Sequence, residues 1–132
     1  MIEWDIIKDL IEKDPFIKYL GIKINVVDTG KAEAILDLKE YHMRTGNMMN
    51  GGAIATMMDT AGGTAVITMS KSNQVTTNLN INYLRPIIKS PARAVGEVIK
   101  EGKRVYFVKI SVYDGDNNLC AFGTGTWYIL RD

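Results

Sequence analysis

The sequence predicts an α+β fold in which a curved, mostly antiparallel sheet wraps around one long central helix. Two observations predict it. Residues 53–69 form a 17-residue apolar run in which Asp59 is the sole ionisable group, and a helix that is apolar on all sides needs burial on all sides. Around this run lie strand-like stretches of alternating polarity, joined by turns too short for the crossovers that parallel strands require.

In chain order, Ile6, Ile7, Leu10 and Ile11 fall at helical spacing over residues 5–13, with Asp5 available as a cap. Pro15 limits or offsets this short amphipathic helix. GIKINVV then alternates Ile22, Ile24 and Val26 against Lys23 and Asn25, Asp28-Thr29-Gly30 supplies a turn, and KAEAILDL alternates again, which makes a hairpin. The central helix follows the Asn50-Gly51-Gly52 turn. Four strands come after it, over residues 75–84, 92–100, 105–113 and 119–130. Arg85-Pro86 and Ser90-Pro91, then Glu101-Gly102, then Asp114-Gly115-Asp116-Asn117-Asn118 separate them.

The 132 residues are the size of one domain, read as a single unit over 1–132. With 16 Lys and Arg against 15 Asp and Glu, the formal charge of +1 is too small for the long-range field of a nucleic-acid binder. The apolar run is short for a membrane span and is interrupted by Asp59, Gly62 and Gly63, so no membrane partner is expected. MIEWDIIKDLIEK lacks the basic start and continuous apolar core of a signal peptide. Together with a single cysteine, Cys120, this points to a cytoplasmic protein. One histidine, His42, and one cysteine give no ligand set for a protein-built zinc site, so no metal is expected.

The residues Gly51-Gly52-Ala53-Ile54-Ala55-Thr56-Met57-Met58-Asp59-Thr60-Ala61-Gly62-Gly63, then Val75-Thr76, then Asn80-Ile81-Asn82-Tyr83-Leu84-Arg85-Pro86, carry a resemblance. So do Gly102-Lys103-Arg104-Val105 and Ala121-Phe122-Gly123-Thr124-Gly125-Thr126. Over residues 41–126 the chain resembles the hotdog-fold acyl-CoA thioesterases of the phenylacetate-degradation, PaaI-like, type. The resemblance implies a hotdog fold, a homodimer at minimum or a homotetramer, acyl-CoA substrates, and hydrolysis with no cofactor beyond the coenzyme A of the substrate. At two positions the chain departs from the pattern. Asn50 stands where His is common before the glycine pair, and Arg44 stands where Asn is common. These departures keep a catalytically weak acyl-CoA-binding module as the alternative reading. A protein like an enoyl-CoA hydratase ranks third, because such enzymes pair Asp with a catalytic His and His42 lies outside the helix.

Thioester hydrolysis needs a polarised carbonyl and an activated water. Gly51 and Gly52 supply backbone N–H groups at the expected helix start, where amides lack internal partners and the dipole favours negative charge. A tight turn into the helix is the other explanation for the pair. Asp59 lies eight residues beyond Gly51, about 12 Å along a helix axis, too far to serve the same carbon from one helix. If two subunits pair with antiparallel central helices, Gly51 of one meets Asp59 of the other, and the resemblance implies that same shared site. Asp59 would act as general base or as nucleophile; the competing reading is an acid that bonds a neighbouring strand or caps a break at Gly62-Gly63. The resemblance implies a water-orienting hydroxyl at Thr76, although Thr is also an ordinary strand residue. Asn47, Asn50 and Arg44 are candidates for the thioester carbonyl. Arg85, Lys103 and Arg104 are candidates for the coenzyme phosphates, with solvated strand ends as the alternative.

Overall fold

The structure is a computed structural model and describes residues 2–130. It opens with α1 (Ile2–Glu12) and α2 (Pro15–Leu20). Pro15 does not simply limit the first helix; it starts a second. Its fixed φ suits the first helical position, the Asp14 side chain caps the N–H groups of Phe16 and Ile17, and Gly21 closes the helix at φ 86°.

A hairpin follows, β1 (Lys23–Asp28) and β2 (Lys31–Leu36), then a 3₁₀ turn at Glu40–His42 and a two-residue hairpin, β3 (Met43–Arg44) with β4 (Met48–Met49). The central helix α3 (Gly51–Ser70) precedes β5 (Gln74–Tyr83), β6 (Ala92–Glu101), β7 (Val105–Tyr113) and β8 (Leu119–Ile129). Six strands form one sheet in the order β1-β2-β6-β7-β8-β5, with every neighbouring pair antiparallel. This is the hotdog fold.

The two sheet edges are treated differently. At β1, the Ile24 N–H donates to the Glu12 carboxylate at 2.7 Å and Lys8 reaches the Ile24 carbonyl, so α1 covers the edge. At the other edge, β5 runs ten residues, paired with β8 on one side and with no strand on its outer side among the described residues.

Alternation along the strands turns one set of side chains inward, and Ala34, Ala94, Val108 and Ile110 meet Met57, Met58, Ala61 and Val66 of α3 in a fully buried core. Close approach requires Gly96 of β6. A Cβ there would stand 2.7 Å from the Ala61 carbonyl oxygen. Trp127 of β8 packs against Gly62, where a Cβ would stand 2.3 Å from its ring.

The expected all-round burial of α3 is not what one chain provides. Gly52 is exposed, and Thr56, Asp59 and Ile67 are half-buried, on a stripe that the sheet does not reach. No helix among the described residues is long and apolar enough to cross a membrane.

Candidate active site

The open stripe of α3 borders two clefts. One, of about 560 Å³, has Asp59 and Thr76 in its wall, with Leu10, Ile11 and Ile17 from the N-terminal helices across from them. Thr76 donates its hydroxyl to Asp59 Oδ1 at 2.6 Å. The register of β5 against β8 shifts between Thr76 and Asn78, a bulge of the kind that re-aims a side chain beside a site. One carboxylate oxygen is thereby held, and Asp59 Oδ2 has no hydrogen-bond partner among the described residues. The acid does bond a neighbouring strand, as the competing reading required, yet half of it faces an open cleft.

The second cleft, of about 380 Å³, lies at the start of α3 and is bordered by Asn50, Gly52, Ala53 and Thr56. Asn50 is the helix cap: its Oδ1 accepts from Gly52 N at 2.7 Å and from Ala53 N at 3.2 Å. The two glycines therefore differ. The N–H of Gly52 is taken, and a Cβ on Gly52 would press within 3.0 Å of the capping oxygen, so the cap explains that glycine. The N–H of Gly51 has no partner among the described residues, and a Cβ there would meet Tyr83 only at an ordinary 3.6 Å. Packing does not explain Gly51.

Tyr83 closes this end by donating its hydroxyl to the Gly51 carbonyl at 2.8 Å. The sequence offered no role for it, because the contact joins residues 32 apart through the end of β5. His42 borders the same cleft but is fully engaged. Its Nδ1 accepts from the Lys39 N–H at 2.9 Å, which leaves Nε2–H to donate to the Leu20 carbonyl at 2.8 Å. Cys120 is buried on β8; burial and then the Asp114 carboxylate push its thiol pKa up, the wrong direction for a nucleophile.

Within one chain the predicted residues do not converge. From Gln74 to Tyr83, β5 spans about 30 Å. Asp59 and Thr76 stand toward the Gln74 end, Gly51 and Tyr83 at the other. The basic residues divide the same way. Arg85 follows Tyr83 and its N–H bonds the Cys120 carbonyl, while Lys103 and Arg104 precede β7, where Arg104 reaches the Ile129 carbonyl opposite Gln74. Arg44 and Asn47 sit in the β3–β4 hairpin and border neither cleft; Asn47 occupies a left-handed turn position, φ 61°, and Arg44 contacts the Met48 sulfur.

The sequence matches the profile of the thioesterase superfamily over residues 46–121. A protein called a candidate esterase in Thermoplasma acidophilum is 35% identical over 132 residues, which cover 99% of this chain and 100% of that one. The medium/long-chain acyl-CoA thioesterase of Salmonella typhimurium is 25% identical over 134 residues, covering 87% of this chain and 85% of its own. In fold, the chain is similar to the E. coli PaaI protein from the phenylacetic acid degradation operon. Their TM-score is 0.88 at 22% identity, over 97% of this chain and 93% of the other. With a six-stranded antiparallel sheet around α3 and a sequence match across more than half its length, the chain belongs to the thioesterase superfamily.

Proposed function

We propose that the protein is an acyl-CoA thioesterase that releases a free acid and coenzyme A at a site shared by two subunits. The observation that carries this reading is the split of candidate groups between opposite ends of β5, a ten-residue edge strand whose outer side meets no other strand among the described residues. Exposed edges of this length pair readily. Twofold pairing of β5 with its copy is antiparallel. It brings the Gly51 end of one chain to the Asp59 end of the other, sets Arg85 of one near Lys103 and Arg104 of the other, and creates two equivalent sites. The dimer is the minimum unit. A tetramer would form through the outer face of the sheet, where Phe107, Phe122 and Tyr128 are exposed.

In this scheme the Gly51 N–H, fixed at the helix start, donates to the thioester oxygen and strengthens that bond as negative charge develops. Asn50 holds the turn that aims it, and its free Nδ2 offers a further donor, whereas Arg44 and Asn47 on the adjoining hairpin border neither cleft and have no part in the scheme. Asp59 Oδ2 takes a proton from water while Thr76 holds Oδ1, and the water oxygen adds to the carbonyl carbon. As the tetrahedral intermediate collapses, the C–S bond breaks and the departing sulfur takes up a proton. The products are a carboxylic acid and the coenzyme thiol. Arginine and lysine on the two strand ends neutralise the coenzyme phosphates. The scheme calls for no cofactor.

Thiol release from short-chain, medium-chain and aryl acyl-CoAs tests the reading. Turnover is expected on at least one class, and Asp59→Asn is expected to lower it by about 10²- to 10⁴-fold while coenzyme binding changes little. Tight binding without thiol release on every substrate would instead identify an acyl-CoA-binding module.

A further inference from the structure

We propose that Ile67 is a specificity-determining residue that ends the acyl cleft and fits it to an unbranched acyl chain of medium length. This rests on the thioesterase reading, with the acyl group lying in the Asp59 cleft of the subunit that supplies the acid. Asp59, Gly63 and Ile67 follow one another at four-residue spacing along one stripe of α3, and all three border that cleft. Ile67 is the last residue of α3 to do so. One turn on, Lys71 pairs with Glu3 of α1 at 2.7 Å, which sets the first turn of α1 over the end of α3. From there α1 runs back toward Asp59, and its Leu10 and Ile11 form the opposite wall.

Packing does not account for Ile67. It is half-buried, yet it stands outside the core cluster that takes in its neighbours Val66 and Met69. Its open surface borders the cleft instead. Gly63 has no side chain, so the stripe between the acid and Ile67 is a trough. On its flank, Thr60 donates its hydroxyl to the Thr56 carbonyl and Thr64 to the Thr60 carbonyl, each at 2.7 Å, which spends both donors inside the helix. Leu10, Ile11 and Ile17 add apolar surface opposite. An alkyl chain gains burial in such a trough and gives up no hydrogen bond.

Ile67 lies eight residues beyond Asp59, about 12 Å along the axis of α3. Contact between a terminal methyl and the Ile67 side chain takes up about 4 Å of that distance. An extended chain advances about 1.2 Å per bond, so about six or seven bonds fit between a carbonyl carbon level with the acid and the stop. The limit therefore falls at about eight carbons. A shorter chain leaves part of the trough unfilled and forfeits the burial of each missing methylene. A longer one must displace Ile67 or lift α1, which the Glu3–Lys71 pair holds in place.

The test measures kcat/KM for even-numbered acyl-CoAs from butyryl to hexadecanoyl in the wild type, Ile67→Ala and Ile67→Phe. In the wild type kcat/KM is expected to rise by about threefold per added methylene up to octanoyl-CoA and to fall beyond decanoyl-CoA. Ile67→Ala is expected to move the optimum at least one step up the series, and Ile67→Phe at least one step down. Butyryl-CoA, which ends short of position 67, is expected to be cleaved equally well by all three proteins; a general loss of folded enzyme would lower it with the rest. An optimum at the same length in all three overturns the proposal, as does a wild-type rate that still climbs at hexadecanoyl-CoA. If no thioester is cleaved, the hydrolase reading falls on its own. Calorimetric affinities of the same series then decide Ile67: a maximum near octanoyl-CoA that moves to longer chains in Ile67→Ala supports the proposal, and any other dependence on length overturns it.

Discussion

Gly51 is the residue whose chemistry separates most cleanly from its structure. It occupies the first position of α3, its N–H has no partner among the described residues, and Asn50 before it has φ −60° and ψ 133°, the conformation a residue before proline prefers. Gly51→Pro therefore removes the proposed oxyanion donor at a position where helices accept proline. Turnover is expected to fall by about 10²- to 10³-fold, with the thermal midpoint unchanged or slightly higher. A variant that keeps its rate would reduce Gly51 to a turn residue. Gly51 and Asp59 were legible in the sequence because helix geometry and desolvation single them out. The capping of Gly52 was not, because one Asn-Gly-Gly string fits both a pair of free amides and a cap that consumes one of them. Tyr83 escaped for another reason. Its partner, the Gly51 carbonyl, is a backbone group that leaves no mark in side-chain patterns.

At the level of elements, alternation and turn chemistry were enough to order the hairpin, the long helix and the four later strands. They could not show the bulge at Thr76–Asn78, since a one-residue register shift depends on the partner strand. Nor could they show how much of α3 stays uncovered, which depends on how far the curved sheet reaches around the helix. What fixes that contact is Gly96, whose missing side chain lets β6 approach the α3 backbone at Ala61. Gly96→Ala inserts a methyl against backbone atoms that cannot swing aside, and is expected to cost about 1–3 kcal/mol of stability by overpacking. Denaturant titration measures this directly. An unchanged midpoint would mean that α3 can lift from the sheet without loss, and that its position along β5 is less fixed than the proposed site requires.

For the whole molecule, one chain holds the two proposed half-sites, separated along α3 by about 12 Å, an open edge at β5, and a helix stripe that its own sheet leaves exposed. The proposed antiparallel pairing of two copies would resolve all three together, and the split of basic residues between strand ends fits the same symmetry. The most direct measurement is complementation between two disabled chains. Asp59→Asn retains Gly51, and Gly51→Pro retains Asp59. Co-refolded in equal amounts, random pairing makes half the dimers mixed, and each mixed dimer has one intact site, so thiol release is expected to recover to about a quarter of the wild-type rate. Sedimentation of the same mixture should show no monomer. A mixture that stays as inactive as its separate components would contradict the shared site, and so would a fully active wild-type monomer.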